Sequence, residues 1–206
     1  MHDKKYFVEK NILKNFFSIL KSILRMIFSK GRLFKMGVLN GNPQNEPLHY
    51  GEVFDIWSYL LATQGAIAGH QVFMNHTGDE DLKKFIENLI ENDMTPEIEE
   101  LKALLKVNGV ALPPAPPERP VASIEDIPPG ARINDVEIAA AVAAALAAGL
   151  VTCSQVMGKC LREDVGMLFG QIHMKKAQAG VTLLRLSKKK GWIVPPPLHV
   201  RNSEQA

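Results

Sequence analysis

The sequence predicts an all-α protein: two helical hairpins joined by a long proline-rich crossover, with an extra helical segment at the N-terminus. Three observations carry that prediction. Apolar residues recur at three- and four-residue steps through most of residues 47–190. Seven prolines fall between residues 110 and 132, where no periodicity survives. The halves on either side echo one another. At an offset of 82 residues, Leu101, Leu104, Lys106, Gly109, Pro113 and Pro114 meet Leu183, Leu186, Lys188, Gly191, Pro195 and Pro196. A chain of 206 residues is long enough to bury a sizeable core, and its apolar content of 46% excludes a wholly disordered protein.

Charge is spread unevenly. Residues 1–35 hold 9 Lys and Arg against 2 Asp and Glu, whereas residues 36–206 hold 15 against 20. A net-acidic body excludes a general nucleic-acid binder, which needs a basic surface for phosphates. In the first segment Lys10, Lys14, Lys21 and Arg25 recur at helical spacing beside Ile12, Phe16, Leu20 and Ile23, with Phe17 interrupting the stripe. That is the outline of a basic amphipathic helix on an anionic membrane surface. Lys, Asn, Ile, Phe and Leu are also the residues that A/T-rich codons write. Lys30-Gly31-Arg32 can be encoded as a purine-rich ribosome-binding sequence a short spacer before Met36. Met36 is therefore the expected start, and a membrane surface is an expected partner only if residues 1–35 are genuine. Residues 36–46 read as a flexible lead-in, 47–200 as the bundle and 201–206 as a tail. The segment's charges argue against a membrane span, and no cleavage pattern follows it. The apolar, mostly Ala run from Ile138 to Cys153 suits a tightly packed core helix. Cys153 and Cys160 lie about 10 Å apart on a helix, too far for a disulfide, and read as buried hydrophobes. The expected location is the cytoplasm.

From Pro47 onward each helix carries its own signals. Asn45 can cap the first, Pro47 suits its first turn, and Phe54, Trp57, Leu61, Ala68 and Val72 lie along one side as far as Asn75. Thr77-Gly78-Asp79-Glu80 has capping-box spacing and starts the second. Leu82, Phe85, Ile86, Leu89 and Ile90 follow, Thr95-Pro96 predicts a kink or restart, and Leu101, Leu104 and Leu105 lead to a stop at Gly109. The third helix runs from about Asn134 to Leu161. The fourth runs from about Glu163 to Lys190 and is ended by Gly191 and the prolines after it.

Two hairpins and one crossover describe a ferritin-like four-helix bundle, since up-down-up-down connection would need no crossover. Paired small residues, Gly65 with Gly69 and Gly166 with Gly170, share single faces and are expected at close helix contacts. Those contacts lie within the bundle or across a homodimer interface. Ala140, Ala143, Ala144, Ala147 and Ala148 give the third helix the same character.

Several of these residues carry a likeness. His49-Tyr50-Gly51-Glu52 with Trp57, the Asn75-His76-Thr77 junction and the two Gly-to-Pro endings resemble a domain-of-unknown-function family of endospore-forming bacteria. That family is ferritin-like and distantly similar to coat-F spore-coat proteins. The likeness covers about residues 42–200. It implies the same fold, a sporulation setting and coat-type protein partners, and it implies no reaction.

The residues themselves argue against the usual bundle chemistry. A di-metal site needs inward Glu residues and helical Glu-x-x-His pairs. The only such match, Glu46-Pro47-Leu48-His49, straddles a proline, and the third helix offers Thr152, Ser154 and Gln155 where a carboxylate is wanted. His70, Glu91 and His173 remain as candidate ligands for mononuclear zinc or iron, because imidazole with carboxylate suits either metal. His49 with Glu52 reads as a surface pair. Lys188, Lys189 and Lys190 read as a basic helix end that complements the dipole. Phosphate-loop, nucleophile-elbow and zinc-cysteine signatures are missing. The expected function is a non-catalytic protein acting through protein contacts, with a metal- or small-ligand-binding bundle as the alternative.

Overall fold

The computed structural model describes residues 46–197, which form helices and no strand. The expectations for residues 1–35, Met36 and the tail at 201–206 lie outside the described residues. Helix α1 spans Tyr50–His76 and α2 spans Glu80–Asn88. A π-helical turn at Leu89–Met94 joins α2 directly to α3, Thr95–Val107. Helices α4, Asp135–Lys159, and α5, Glu163–Lys190, follow. With α2, the π turn and α3 counted as one rod, the described residues hold four long helices.

The first helix starts later than Asn45 and Pro47 suggest. Its cap is His49, whose Nδ1 accepts from Gly51 N (2.9 Å) and Glu52 N (3.3 Å), while Glu52 Oε2 accepts from His49 N (3.0 Å). Its buried residues include Ile56, Tyr59, Leu60 and Ala68, whereas Phe54 is 69% exposed and Leu61 is at the surface too. The expected stripe is thus turned. Apolar residues surround much of α1, so spacing alone does not pick out its inner side.

The second start is also reassigned. Asp79 caps α2, accepting from Asp81 N and Leu82 N at 3.0 Å each. Thr77 instead donates through Oγ1 to Asp135 Oδ1 at 2.5 Å, and the same oxygen accepts from Gly78 N at 3.1 Å. The start of α4 therefore holds the turn between α1 and α2. At the opposite end the relation is reversed. Glu52, at the start of α1, accepts through Oε1 from Leu161 N (2.7 Å) and Arg162 N (2.9 Å) in the turn between α4 and α5. Each hairpin's first helix thus clasps the other hairpin's turn. This pairing makes α1 and α4 antiparallel, and it corrects the reading of Glu52 as a surface residue, since it is 2% exposed.

The π turn explains the interrupted second rod. Pro96 has no N–H to donate and its ring crowds the preceding turn. The chain absorbs this with one extra residue: Thr95 N reaches back to Ile90 O, and Thr95 Oγ1 donates to the same oxygen at 2.8 Å. The core positions then step Leu82, Ile86, Leu89, Met94, Ile98, Leu101 and Leu105. A five-residue step replaces the usual three or four, and Asp93 is turned out of the core position.

Both rods end alike. Gly109 and Gly191 take left-handed φ values of 71° and 73°. Val110 N bonds Leu105 O and Trp192 N bonds Ser187 O, each at 2.9 Å, so the two endings match at the 82-residue offset. Between the hairpins the chain crosses the length of α1. Trp57 Nε1 donates to Ala111 O near the start of α1. Further along, Gln71 Oε1 accepts from Arg119 N, and Asn75 bonds Pro120 O and Ala122 N. Lys190 pairs with Asp79 (2.5 Å) and Asp81 (3.0 Å), which ties the basic end of α5 to the start of α2.

Candidate functional site

The apolar interior is divided in two. One cluster gathers Ile56, Leu60, Ile98, Cys153, Phe169 and Ile172, and the other Leu82, Met94, Leu146, Ala179 and Leu183. On each rod the residue between the clusters breaks the apolar pattern: Thr63 on α1, Glu97 on α3, Gly149 on α4 and Lys176 on α5. Thr63, Glu97 and Lys176 form a polar layer across the bundle, and Gly149 leaves it room.

Its centre is Glu97, 2% exposed. Oε1 accepts from Thr63 Oγ1 at 3.4 Å, and Oε2 pairs with Lys176 Nζ at 3.2 Å. The Lys176 ammonium also stands 5.6 Å from the Tyr59 ring centroid, a cation–π distance. Cys153 Sγ donates to the Tyr59 hydroxyl at 3.5 Å. Burial, reinforced by the Glu97 carboxylate, pushes the Tyr59 hydroxyl far above its ordinary pKa, and burial likewise raises the Cys153 thiol. Both therefore stay protonated and neutral at physiological pH. Gly149 is what admits the lysine. A Cβ there would stand 2.8 Å from Lys176 Cδ, so the absent side chain leaves the path its stem takes toward Glu97.

Beside this layer, between α1 and α4, lies a cavity of about 360 Å³. Ala62, Ala66, Leu89, Met94 and Leu146 supply apolar walls, and Ser58, Thr63, Thr152 and Lys176 supply polar groups. His70 lines it as well and is 4% exposed. Its Nδ1 lies 2.5 Å from Ala66 O, and a carbonyl can only accept, so Nδ1 carries the proton. Nε2 has no hydrogen-bond partner. Burial, with the nearby Lys176 charge, lowers the His70 pKa and keeps the ring neutral.

The three candidate ligands do not come together. His70 is buried beside the cavity lining, Glu91 is exposed on the π turn, and His173 is half-buried on α5 away from that lining. Among the described residues no group of three His, Cys, Asp or Glu side chains could hold a metal ion. The glycines also divide. A Cβ on Gly166 would meet Cys160 Sγ at 3.2 Å and one on Gly170 would meet Met157 Sδ at 3.5 Å, whereas Gly65 and Gly69 have nothing within 4 Å. Gly65 and Gly69 thus make no close helix contact within the described residues. Glu97 escapes a reading in straight α-helical register because the π turn at Leu89–Met94 shifts it, and Lys176 on α5, taken alone, carries no sequence mark that sets it apart from a surface lysine. The break in apolar spacing at Thr63, Glu97, Gly149 and Lys176 was the signal available.

The outer side of α4 is the other feature. The helix carries no charge from Ile138 to Gly158, yet Ala140, Ala143, Ala144, Ala147 and Ala148 are exposed and Val151 is 59% exposed. Segment Pro129–Lys159 is long and apolar enough to cross a membrane by length and composition, and only 28% of its most apolar window is buried. The expectation of a tightly packed core helix therefore holds for one side of α4 alone.

The chain is similar to known proteins over most of its length. A family model described as "Protein of unknown function (DUF3231)" matches residues 36–204. The uncharacterized protein YvdQ of Bacillus subtilis (strain 168) is 54% identical over 171 residues, covering 83% of this chain and 100% of that protein. The crystal structure of a "putative spore coat protein" from Bacillus halodurans C-125 is similar with a TM-score of 0.76 and 56% identity. It covers 78% of this chain and 100% of the other.

Proposed function

The chain belongs to the DUF3231 family, and from that membership and the helical architecture we propose a ferritin-like, non-catalytic protein of the spore that acts through protein contacts. The observation that carries this reading is the outer side of α4. A helix apolar on all sides is ordinarily covered all round, and this one is covered on one side. The occupant that fits is a second copy of the same helix. Ala140, Ala144, Ala147 and Val151 follow one another down the exposed side, where small side chains let two backbones approach closely. Glu137 stands at one end of the charge-free stretch and Lys159 at the other, so an antiparallel pair sets unlike charges and opposed helix dipoles side by side. That is the self-complementarity a two-fold dimer requires.

The spore setting rests on the Bacillus halodurans relative. We read the chain as cytoplasmic before incorporation, with a second copy and then other coat-type proteins as its partners. Cell fractionation tests the setting. A tagged chain expressed from its own promoter in the source organism is expected in purified spores, and its confinement to vegetative cells would overturn the reading.

A further inference from the structure

We propose that the outer side of α5 is a second contact face, a short coiled-coil seam on which α5 of another copy packs antiparallel. α5 buries Val165, Phe169, Ile172, Ala179 and Leu183 on its inner side. On the opposite side Met167, Met174, Val181 and Leu184 are 67, 58, 47 and 45% exposed. With Gly170 and Ala177 between them, these residues alternate at steps of three and four from Met167 to Leu184. That is the a and d spacing of a coiled coil. Packing within the chain accounts for the inner stripe alone.

Register and charge name the occupant. With a two-fold axis crossing between residues 175 and 176, an antiparallel copy sets Met167 against Leu184, Gly170 against Val181 and Met174 against Ala177. Large side chains thus meet small ones near the axis. Met174 of the second copy enters the hollow lined by Ala177, Gln178, Val181 and Arg185. The same register carries Glu163 onto Lys188 at both ends of the seam, and both residues are exposed. It also lays Gln171 beside Gln178, amide against amide. Parallel pairing would instead set Glu163 on Glu163 and Lys188 on Lys188, at a cost in repulsion. A surface that matches its own image in this way is what a two-fold contact requires. No residue of the seam belongs to α4, whose outer side carries the pairing described above. The seam offers four large side chains per copy, and contacts below about 1,000 Å² are weak. It therefore closes only as concentration rises, and dilute chains are left with the α4 pair.

The test is the light-scattering mass of the full chain, measured from about 10 μM to about 1 mM. The natural sequence is expected to rise from two chains per particle to four or more, and Ala144→Glu from one chain to two and no further. If the α4 pairing is wrong, the natural sequence starts from one chain and rises all the same, so the two readings fail separately. Met174→Glu, made at an exposed position, should abolish the rise with helical circular dichroism unchanged. Glu163→Lys and Lys188→Glu should each weaken the association at least about tenfold when measured alone. An equal mixture of the two should restore it, because both ends of the mixed pair then unite unlike charges. A mass that does not change with concentration would overturn the proposal, whether the seam stays bare or other residues of the chain cover it. So would a rise that survives Met174→Glu, or a mixture that associates no better than its components.

Discussion

Helices α1 and α4 each open a hairpin, each begins with a capping box, and they run antiparallel, yet their polarity is opposite. α1 sends Glu52, Thr63, Gln64 and His70 inward, all buried. α4 buries Ile138, Ala139, Val142, Leu146, Cys153 and Val156 and turns further alanines and two valines, Val136 and Val151, outward. One helix carries polar groups into the core. The other carries apolar groups to the surface and builds a contact face. The lesson is that total hydrophobicity does not say where a helix's chemistry lies, because that depends on which side the neighbours cover.

The largest effect should come from the polar layer that α1 helps to build. Glu97→Ala leaves the Lys176 ammonium, its side chain 11% exposed, without its partner and should cost about 2–4 kcal/mol in urea unfolding. The double replacement Glu97→Met with Lys176→Met should recover most of that loss. A cost below about 1 kcal/mol for the single change would mean that the pair is solvated and the layer is not a buried one.

Next is a matched pair of changes in equivalent slots. Glu52 and Glu137 each complete a capping box at the third position of their helix. Glu52 also accepts two turn amides while buried, whereas Glu137 is exposed. Glu52→Ala should therefore cost about 3 kcal/mol and Glu137→Ala about 1 kcal/mol. Equal costs would erase the difference between the two helices.

A smaller effect is expected from pH. Burial lowers the His70 pKa from its ordinary 6.5, so the unfolded chain takes up a proton more readily than the folded one. Its neutral form favours folding above pH 6.5, and that contribution is lost as pH falls below 6.5. The slope should not exceed about 1.4 kcal/mol per pH unit, the one-proton limit. His70→Gln should flatten stability between pH 6.5 and about 5, where Asp93, its carboxyl raised by burial, is the carboxylate nearest to contributing. Asp79 and Asp164, held low by Lys190 and Arg162, contribute only at more acid pH. An unchanged slope in His70→Gln would show that another group titrates there.

Much of the fold was legible in the sequence, and the reason is local chemistry. Gly109 and Gly191 terminate their helices because left-handed backbone strains any side chain but glycine's, and the proline run has too few N–H groups to continue a helix. Four rods and a crossover follow from those stops. The family likeness, too, is borne out by the match over residues 36–204. What was hidden depends on tertiary packing. Asn45 and Thr77 have the chemistry of caps, but His49 and Asp79 take those places, and Thr77 is drawn to Asp135 on another helix. The inner side of α1 could not be chosen from a helix with apolar residues on several sides. Glu97 lies one step out of straight α-helical register because of the π turn. Lys176 looks like any surface lysine unless Gly149 is placed opposite it.

The central claim is that the outer side of α4 serves protein contacts, and the mass of the particle in solution tests it most directly. Ala144 is exposed at the middle of that side, so Ala144→Glu should change the chain's own stability by no more than about 0.5 kcal/mol. Sedimentation velocity should give two chains per particle for the natural sequence and one for Ala144→Glu, with the same helical circular dichroism. A monomer in both cases, or a dimer that survives the buried glutamate, would contradict the account.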